Sequence, residues 1–270
     1  MKRSSPDRTG FLSRFDGRAE AYAKYRPNYP HALLRLLEGE IGFNPGTVVA
    51  DIGSGTGILS ELFLRNGNTV YCVEPNADMR EEAESRLRRY SPRFVSVKGA
   101  AEDTSLATGS IGLITAGQAL HWFDLRKAKT EFGRILSPKG HVAIVYNHRV
   151  ERSRVEGAYG RVAEEFGTRS EVPDLDDREV RRFLAGGSVR RFVMQNSQTL
   201  DLEGVLGRLA SASYMPRPTS RKWAGVEEAV KTMFEEHAEN GTVILRYETE
   251  LRIGRVPRKS GGVSHHPPAA

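Results

Sequence analysis

The chain has 270 residues, 39% of them apolar and 27% charged, with a formal net charge of +6. That length accommodates one large α/β domain with an appended cap, or two small domains, and the composition is that of an ordinary globular protein. No stretch approaches the ~20 apolar residues of a membrane span, the basic and polar N-terminus lacks the apolar core of a secretory leader, and a single cysteine, Cys72, excludes an internal disulfide and suits a reducing cytoplasm. The positive balance admits a nucleic-acid or acidic partner. Much of it, however, falls near the termini (Lys2, Arg3, Arg8, Arg255, Arg258, Lys259) or along helices (Arg86, Arg88, Arg89), where it is expected to form solvated faces.

Met1 to Gly10 reads as a disordered tail. The segment from Phe11 to Pro30 carries Phe15, Tyr22 and Tyr25 at helix-compatible spacing and then Arg26-Pro27-Asn28-Tyr29-Pro30, where two prolines stop regular structure. Pro30 opens a helix with Leu33, Leu34, Leu36 and Leu37 on its apolar side, closed by Gly39 and Gly42. A strand over 48–52 follows, then glycines 53, 55 and 57 at alternate positions, and a helix over 57–66. Strand, tight glycine turn and helix is how α/β proteins hold nucleotide-like ligands, the glycines allowing positive φ and close backbone approach. The alternation continues with strand 69–73 ending at Glu74, helix 77–90, strand 94–98, strand 111–116, helix 124–136, a turn at Ser137-Pro138-Lys139-Gly140 and strand 141–146. This is the pattern of a parallel, doubly wound sheet. Beyond residue 147 the rhythm changes: helices over 149–168 and 176–185, a strand over 189–200, a helix from Leu202 to about Ala212, a helix from Trp223 to Glu239 and a strand over 242–253. Residues after Pro257, including His265 and His266, read as a second disordered tail.

The glycine spacing selects between ligands. Dinucleotide sites want G-x-G-x-x-G, leaving room for a pyrophosphate at the helix N-terminus. Here the spacing is G-x-G-x-G, and Asp51 stands just ahead of the turn, where a carboxylate repels pyrophosphate and attracts an ammonium. S-adenosylmethionine (SAM) carries an α-ammonium, an adenosine and no phosphate. Asp51 through Gly57 resembles motif I of the class I SAM-dependent methyltransferases, and Glu74 stands where a carboxylate can accept both ribose hydroxyls. Further residues carry the likeness over nearly the whole chain: the Arg-Pro-x-Tyr-Pro lead, the Ala101-Glu102 pair, Gln118-Ala119-Leu120-His121-Trp122-Phe123, the Leu-x-Pro-x-Gly turn at 136–140 and the final strand. The middle segment is similar to that of methyltransferase-11-type proteins that include the trans-aconitate methyltransferase-like subgroup.

The resemblance implies a Rossmann-like, doubly wound α/β sheet of seven strands with the last strand pair antiparallel, within a domain spanning 11–256. A helical cap inserted at about 149–188 and 202–240 would enclose the substrate. It implies SAM as cofactor, held by Tyr22, Arg26, Asp51, Gly53, Ser54, Gly55, Gly57, Glu74, Pro75, Ala101, Glu102 and Gln118. Tyr22, Tyr25 and Arg26 would touch the cofactor or close a lid over it. Many relatives have Asp at the position of Ala100, so the adenine contact shifts to Glu102, with Asp103 as a substitute. His121, whose ordinary pKa is near neutral, is the candidate base for a hydroxyl acceptor; a carboxylate acceptor needs none. Tyr25, Trp122, His148 and Tyr214 are candidate substrate contacts, and Arg149 or Arg217 could pair with an acidic acceptor.

The residues also argue against some readings. An [N/D]-P-P-[Y/F] segment for amine methylation is missing, as is the cysteine needed for the adduct mechanism of cytosine methylation. No Asp/Asn cluster suggests a Mg²⁺ site, leaving only Asp124 and Asn147 as candidates for one, and no metal is expected. The expectation is methyl transfer to oxygen of a small molecule, with no membrane partner and a nucleic-acid partner disfavoured by the cap. Carbon or nitrogen methylation and a SAM-binding protein without catalysis are the alternatives.

Overall fold

The computed structural model describes residues 16–168, 176–185 and 187–257. The tails expected at 1–10 and beyond 257, with His265 and His266, lie outside the described residues. A seven-stranded sheet of order β3-β2-β1-β4-β5-β7-β6 forms the centre. Its strands are β1 (Val49–Ile52), β2 (Val70–Val73), β3 (Phe94–Val97), β4 (Ile111–Gly117), β5 (Leu136–Arg149), β6 (Arg190–Leu200) and β7 (Val243–Gly254). The first five run parallel, and β7 is antiparallel to both β5 and β6. The expected fold class, with its antiparallel last pair, is therefore the observed one.

Nine helices are described: α1 (Ala19–Tyr25), α2 (Ala32–Ile41), α3 (Ile58–Arg65), α4 (Ala77–Leu87), α5 (Leu125–Ile135), α6 (Arg154–Phe166), α7 (Asp177–Phe183), α8 (Leu202–Ala210) and α9 (Trp223–His237). Several begin at side-chain caps that satisfy otherwise orphaned N–H groups. Asn76 accepts from Met79, Asp124 from Arg126 and Lys127, and Asp201 from Gly204. Asp176 and Glu179 form a reciprocal capping box at α7.

All four residues of β1 are buried, as a parallel strand covered on both faces requires. Alternate residues feed opposite cores. Ala50 and Ile52 join Phe132, Val180 and Phe183 on the face covered by α5 and α7, while Val49 joins Leu33, Leu37, Leu59 and Phe63 on the face covered by α2, α3 and α4. A third core unites α6, α8 and α9 with the far ends of β6 and β7, through Tyr159, Leu209, Trp223 and Tyr247. Of the helices in the expected cap, α6, α8 and α9 share this core. Helix α7, which falls inside the expected cap, instead buries Val180 and Phe183 against the sheet.

Two other expectations change. The turn at 137–140 is part of β5, whose pairing with β4 shifts register between Ile111 and Leu113. A Cβ at Gly140 would lie 2.9 Å from the Ile111 carbonyl, so glycine lets the strand pass the irregularity. Arg86 and Arg89 are not merely solvated. With Arg65 and Tyr90 they donate to the Glu61 carboxylate at 2.5 to 3.2 Å, tying α3 to α4 and its following turn. Burial pushes the Glu61 carboxyl up, but the Arg65 and Arg89 hydrogen bonds outweigh it and hold it below its ordinary value.

The N-terminal arm reaches from the sheet to the cap. Asn76 donates to Asp16 and the Gly17 N–H to Asp78, anchoring one end at α4. Arg18, 6% exposed, donates to the carbonyls of Ala210, Ala212 and Met215 at 2.6 to 2.8 Å, capping the C-terminus of α8. Among the described residues no helix is long and apolar enough to cross a membrane.

Gly57 tests how the glycine turn is built. Its φ is +79°, and a Cβ there would lie 2.4 Å from Leu87 Cδ1. Gly57→Ala should lower unfolding stability by about 2 kcal/mol, the scale of a forced left-handed residue, read as a lower urea midpoint at unchanged slope. An unchanged midpoint would show that the α3–α4 contact relaxes freely.

Candidate cofactor cavity and active site

The order β3-β2-β1-β4 reverses direction between β1 and β4, and the carboxyl ends of strands at such a switch point open a crevice. Two adjoining cavities, of about 310 and 160 Å³, fill it. Tyr22, Gly53, Gly55, Gly117 and Gln118 belong to the walls of both.

Asp51, next to last in β1, is 1% exposed. Ser60 Oγ donates to its Oδ2 at 2.6 Å and Thr115 Oγ1 to its Oδ1 at 2.8 Å. Burial pushes its carboxyl up to about 6, partly offset by those bonds. In the turn that follows, the Gly53 and Ser54 N–H groups donate to the Val73 carbonyl at 2.8 and 3.2 Å. A Cβ at Gly53 would lie 2.9 Å from that of Ala119, so only glycine keeps the chain this close to the loop after β4. Ser54 Oγ is buried on the wall of the smaller cavity without a hydrogen-bond partner.

Glu74 ends β2. Its two carboxylate oxygens accept from the N–H groups of Gly55 and Asn76, both at 2.9 Å, which fixes the carboxylate at the turn. Burial raises it despite those bonds. Glu102 accepts from the Asp124 N–H at 2.6 Å, joining the loop after β3 to the start of α5. Gln118 sits at φ +56°, a backbone conformation that side chains other than glycine rarely adopt. Its amide donates to the Asn147 carbonyl at 3.0 Å. This strained backbone lies at the end of a central strand, on the wall of both cavities.

The larger cavity is lined by Tyr22, Gly53, Gly55, Glu74, Pro75, Ala101, Glu102, Gln118 and Trp122 of the expected residues. The smaller is lined by Tyr22, Arg26, Asp51, Gly53, Ser54, Gly55 and Gln118. Gly57, Tyr25, His121, His148 and Tyr214 line neither. Gly57 packs on Leu87. The Tyr25 ring lies against Gly207 of α8, and its hydroxyl donates to Glu203 at 2.5 Å. His121 Nδ1 is 3.0 Å from the Tyr146 hydroxyl, with the Trp122 ring on its other flank, centroids 4.6 Å apart. His148 is exposed and stacks on Tyr146. The Tyr214 carbonyl accepts from Thr168, on the cap side. Among the described residues no group of three or more His, Cys, Asp or Glu is placed to hold a metal.

Sequence reasoning missed Asn76, Met79 and Phe123 in the larger cavity and Tyr29, Asn147 and Arg208 in the smaller. Tyr29 was signalled by the Arg-Pro-x-Tyr-Pro run and Asn76 by its capping position. Nothing local marked Arg208, which the cap carries in.

The two chambers differ in chemistry. The larger offers the Glu74 carboxylate for a diol, apolar walls from Met79, Ala101 and Phe123 for a flat base, and Glu102 for an exocyclic amine. The smaller offers a carboxylate, an unpartnered hydroxyl and guanidinium groups, which suits a zwitterionic amino acid. Together they fit a nucleoside joined to an amino acid.

Residues 50–144 match the family described as a methyltransferase domain. An uncharacterized methyltransferase of Mycobacterium tuberculosis, Rv3342, is 33% identical over 138 residues, covering 51% of this chain and 54% of that protein. The uncharacterized methyltransferase C25B8.09 of Schizosaccharomyces pombe is 27% identical over 129 residues, covering 47% and 50%. The chain thus spans about half the length of the curated relatives it matches. In structure it is similar to a proposed type II methyltransferase from Anaeromyxobacter dehalogenans, with a TM-score of 0.62 at 24% identity over 87% of this chain and 100% of that one. It is also similar to the YcgJ protein of Bacillus subtilis, with a TM-score of 0.54 at 19% identity over 86% and 100%; these two likenesses speak for the fold alone. Residues 50–144 are thus similar to a methyltransferase domain, and the chain has the Rossmann-like fold of its structural neighbours.

Proposed function

We propose that the protein transfers the methyl group of SAM to an oxygen, hydroxyl or carboxyl, of a small molecule, in the manner of the trans-aconitate methyltransferase-like proteins it resembles. The observation that carries the reading is the pair of joined chambers at the switch point, one built for a nucleoside and one for an amino acid. Cys72, a lone buried thiol pushed up by desolvation, accords with a cytoplasmic setting. A cavity roofed by the arm and cap suits a small acceptor better than a nucleic-acid strand.

When bound, SAM supplies an electrophilic methyl on a positively charged sulfur, so the protein's task is alignment and exclusion of water. Glu74 accepts the ribose hydroxyls, with Pro75 shaping the turn beside it. Ala101 and Glu102 face the adenine edge. Asp51, backed by Ser60 and Thr115, attracts the α-ammonium, while Ser54, Tyr22 and Arg26 close around the amino-acid end. Gly53, Gly55 and Gln118 form the waist between the chambers, and Gly57 sets the helix behind them. Trp122, on the wall of the larger chamber, is the candidate contact for an acceptor that approaches the cofactor there. His121, beside the Tyr146 hydroxyl and outside both chambers, would take the proton of a hydroxyl acceptor that reaches it. Tyr25, His148 and Tyr214 stand farther out and meet only an acceptor that extends beyond the chambers.

The reading is tested by incubating the protein with SAM and a panel of hydroxy and carboxylic acids, scoring acceptor-dependent formation of S-adenosylhomocysteine. Bound SAM with no acceptor-dependent product would make the protein a binder without turnover. With a hydroxyl acceptor, His121→Ala should slow turnover by about 10²-fold, the scale of general base catalysis, at unchanged affinity for S-adenosylhomocysteine. Equal rates would reduce His121 to packing.

Asp51 makes binding pH-dependent. The ammonium favours the ionised carboxylate, which in the free protein loses its proton at about 6. Affinity for S-adenosylhomocysteine should therefore fall as pH drops below 6, approaching about tenfold per unit, and binding near pH 6 should release protons. Glu74 is also raised, so Asp51→Asn separates the two: it should weaken binding and flatten the profile. A wild-type profile flat from pH 5 to 8 would contradict this placement of the ammonium.

A further inference from the structure

Strand β6 alternates, but its inward row changes character partway along. Phe192 and Met194 pack on the core under α2 and α3, and Leu200 joins the core of the cap. Between them, on the same face, stand Asn196 and Gln198, both half-buried. The opposite row of Arg191, Val193, Gln195, Ser197 and Thr199 is exposed throughout. Amides on the inward row of a strand are costly unless their donors and acceptors are met.

What meets them is the strap over 26–30 that joins α1 to α2. Tyr25 is the last residue of α1, and Pro27 and Pro30 carry no N–H, so the strap is poor in donors for its own carbonyls. Gln198 Nε2 donates to the Tyr25 carbonyl at 2.8 Å, while its Oε1 accepts from the Tyr247 hydroxyl at 3.4 Å. Asn196 Nδ2 donates to the Asn28 carbonyl at 2.7 Å, while its Oδ1 accepts from the Ser197 N–H at 2.9 Å. Asn147 Nδ2 reaches the same Asn28 carbonyl at 3.4 Å, with its Oδ1 held by Thr249 Oγ1 at 2.5 Å. These bonds grip the chain on both sides of Arg26 and Pro27, which with Tyr29 line the smaller chamber. Neither Asn196 nor Gln198 lines either chamber. On its other side the strap is held by Arg26, whose Nε and Nη2 donate to Ser211 at the end of α8, both at 3.0 Å.

We infer that Asn196 and Gln198 are positioning residues: from outside the chambers they clamp the strap to β6, so that Arg26 and Tyr29 stand ready over the amino-acid end of the cofactor. This rests on the methyltransferase reading and adds to it a part played by an edge strand that touches no ligand. A strap fixed before the ligand arrives spares binding the cost of ordering it. The benefit falls on the smaller chamber alone, because the nucleoside chamber owes its walls to the loops after β1, β2, β3 and β4.

The full chain is titrated calorimetrically with S-adenosylhomocysteine and with 5′-methylthioadenosine, which carries the nucleoside without the amino acid; the second is measured by displacement of the first where its own heat is small. The wild type should prefer S-adenosylhomocysteine. Asn196→Ala combined with Gln198→Ala should weaken S-adenosylhomocysteine by about tenfold or more and leave methylthioadenosine within about twofold. Gln198→Met, which keeps the length of the side chain but not its donor, should cost S-adenosylhomocysteine about fivefold, the scale of one hydrogen bond, and serves alone if the double variant does not fold. Unchanged affinity for S-adenosylhomocysteine, an equal loss for both ligands, or a wild type with no preference between them would overturn the inference. If the wild type binds neither ligand, it is the methyltransferase reading that has failed, and the inference falls with it.

Discussion

Everything at the site depends on a buried carboxylate kept at the end of a central strand. Asp51 is desolvated on all sides, and its ionised form is tolerated only because Ser60 from α3 and Thr115 from β4 donate to its two oxygens. Those donors are fixed by the sheet register, in which Asp51 pairs with Thr115, and by α3, whose residues from Ile58 to Leu64 are all buried. The group is thus poised: destabilised as an anion in the free protein, and stabilised when a cation arrives. A nearby pyrophosphate would meet the opposite field, which is why the same strand-turn-helix outline serves a different ligand here.

The arm and cap complete an enclosure that the sheet alone leaves open. Arg18 and Arg26 both donate to the C-terminal end of α8, where carbonyls lack helical partners and the helix dipole is negative. The same helix carries Arg208 inward. One short helix therefore ties the N-terminal arm to a guanidinium on the wall of the smaller chamber. Water exclusion strengthens each of these charge interactions, since the effective dielectric falls with enclosure.

What was legible in the sequence was what is local. The β1 turn and the strand end before Glu74 are read from neighbours in the chain, because strand periodicity and glycine spacing encode backbone shape within a few residues, whereas the Ala101-Glu102 pair is singled out by the family resemblance. Pro138 and Gly140 misled, since they punctuate a turn and an irregular strand edge alike, and only pairing with β4 tells them apart. The apolar spacing of α7 shows that Val180 and Phe183 are buried but not against what, so it was assigned to the cap and packs on the sheet. Arg86 and Arg89 were indistinguishable from solvated arginines until α4 was set beside Glu61. Arg208 lies 182 positions after Arg26, with no motif around it, and only the folded cap brings the two to one wall.

The central claim is that the two chambers form a single site for a nucleoside joined to an amino acid and carrying no phosphate. Calorimetric titration of the protein with S-adenosylhomocysteine and with NADH, side by side, tests it most directly. The account predicts binding of the first at a dissociation constant on the order of micromolar and no heat from the second. Binding of NADH, or of neither, would contradict it.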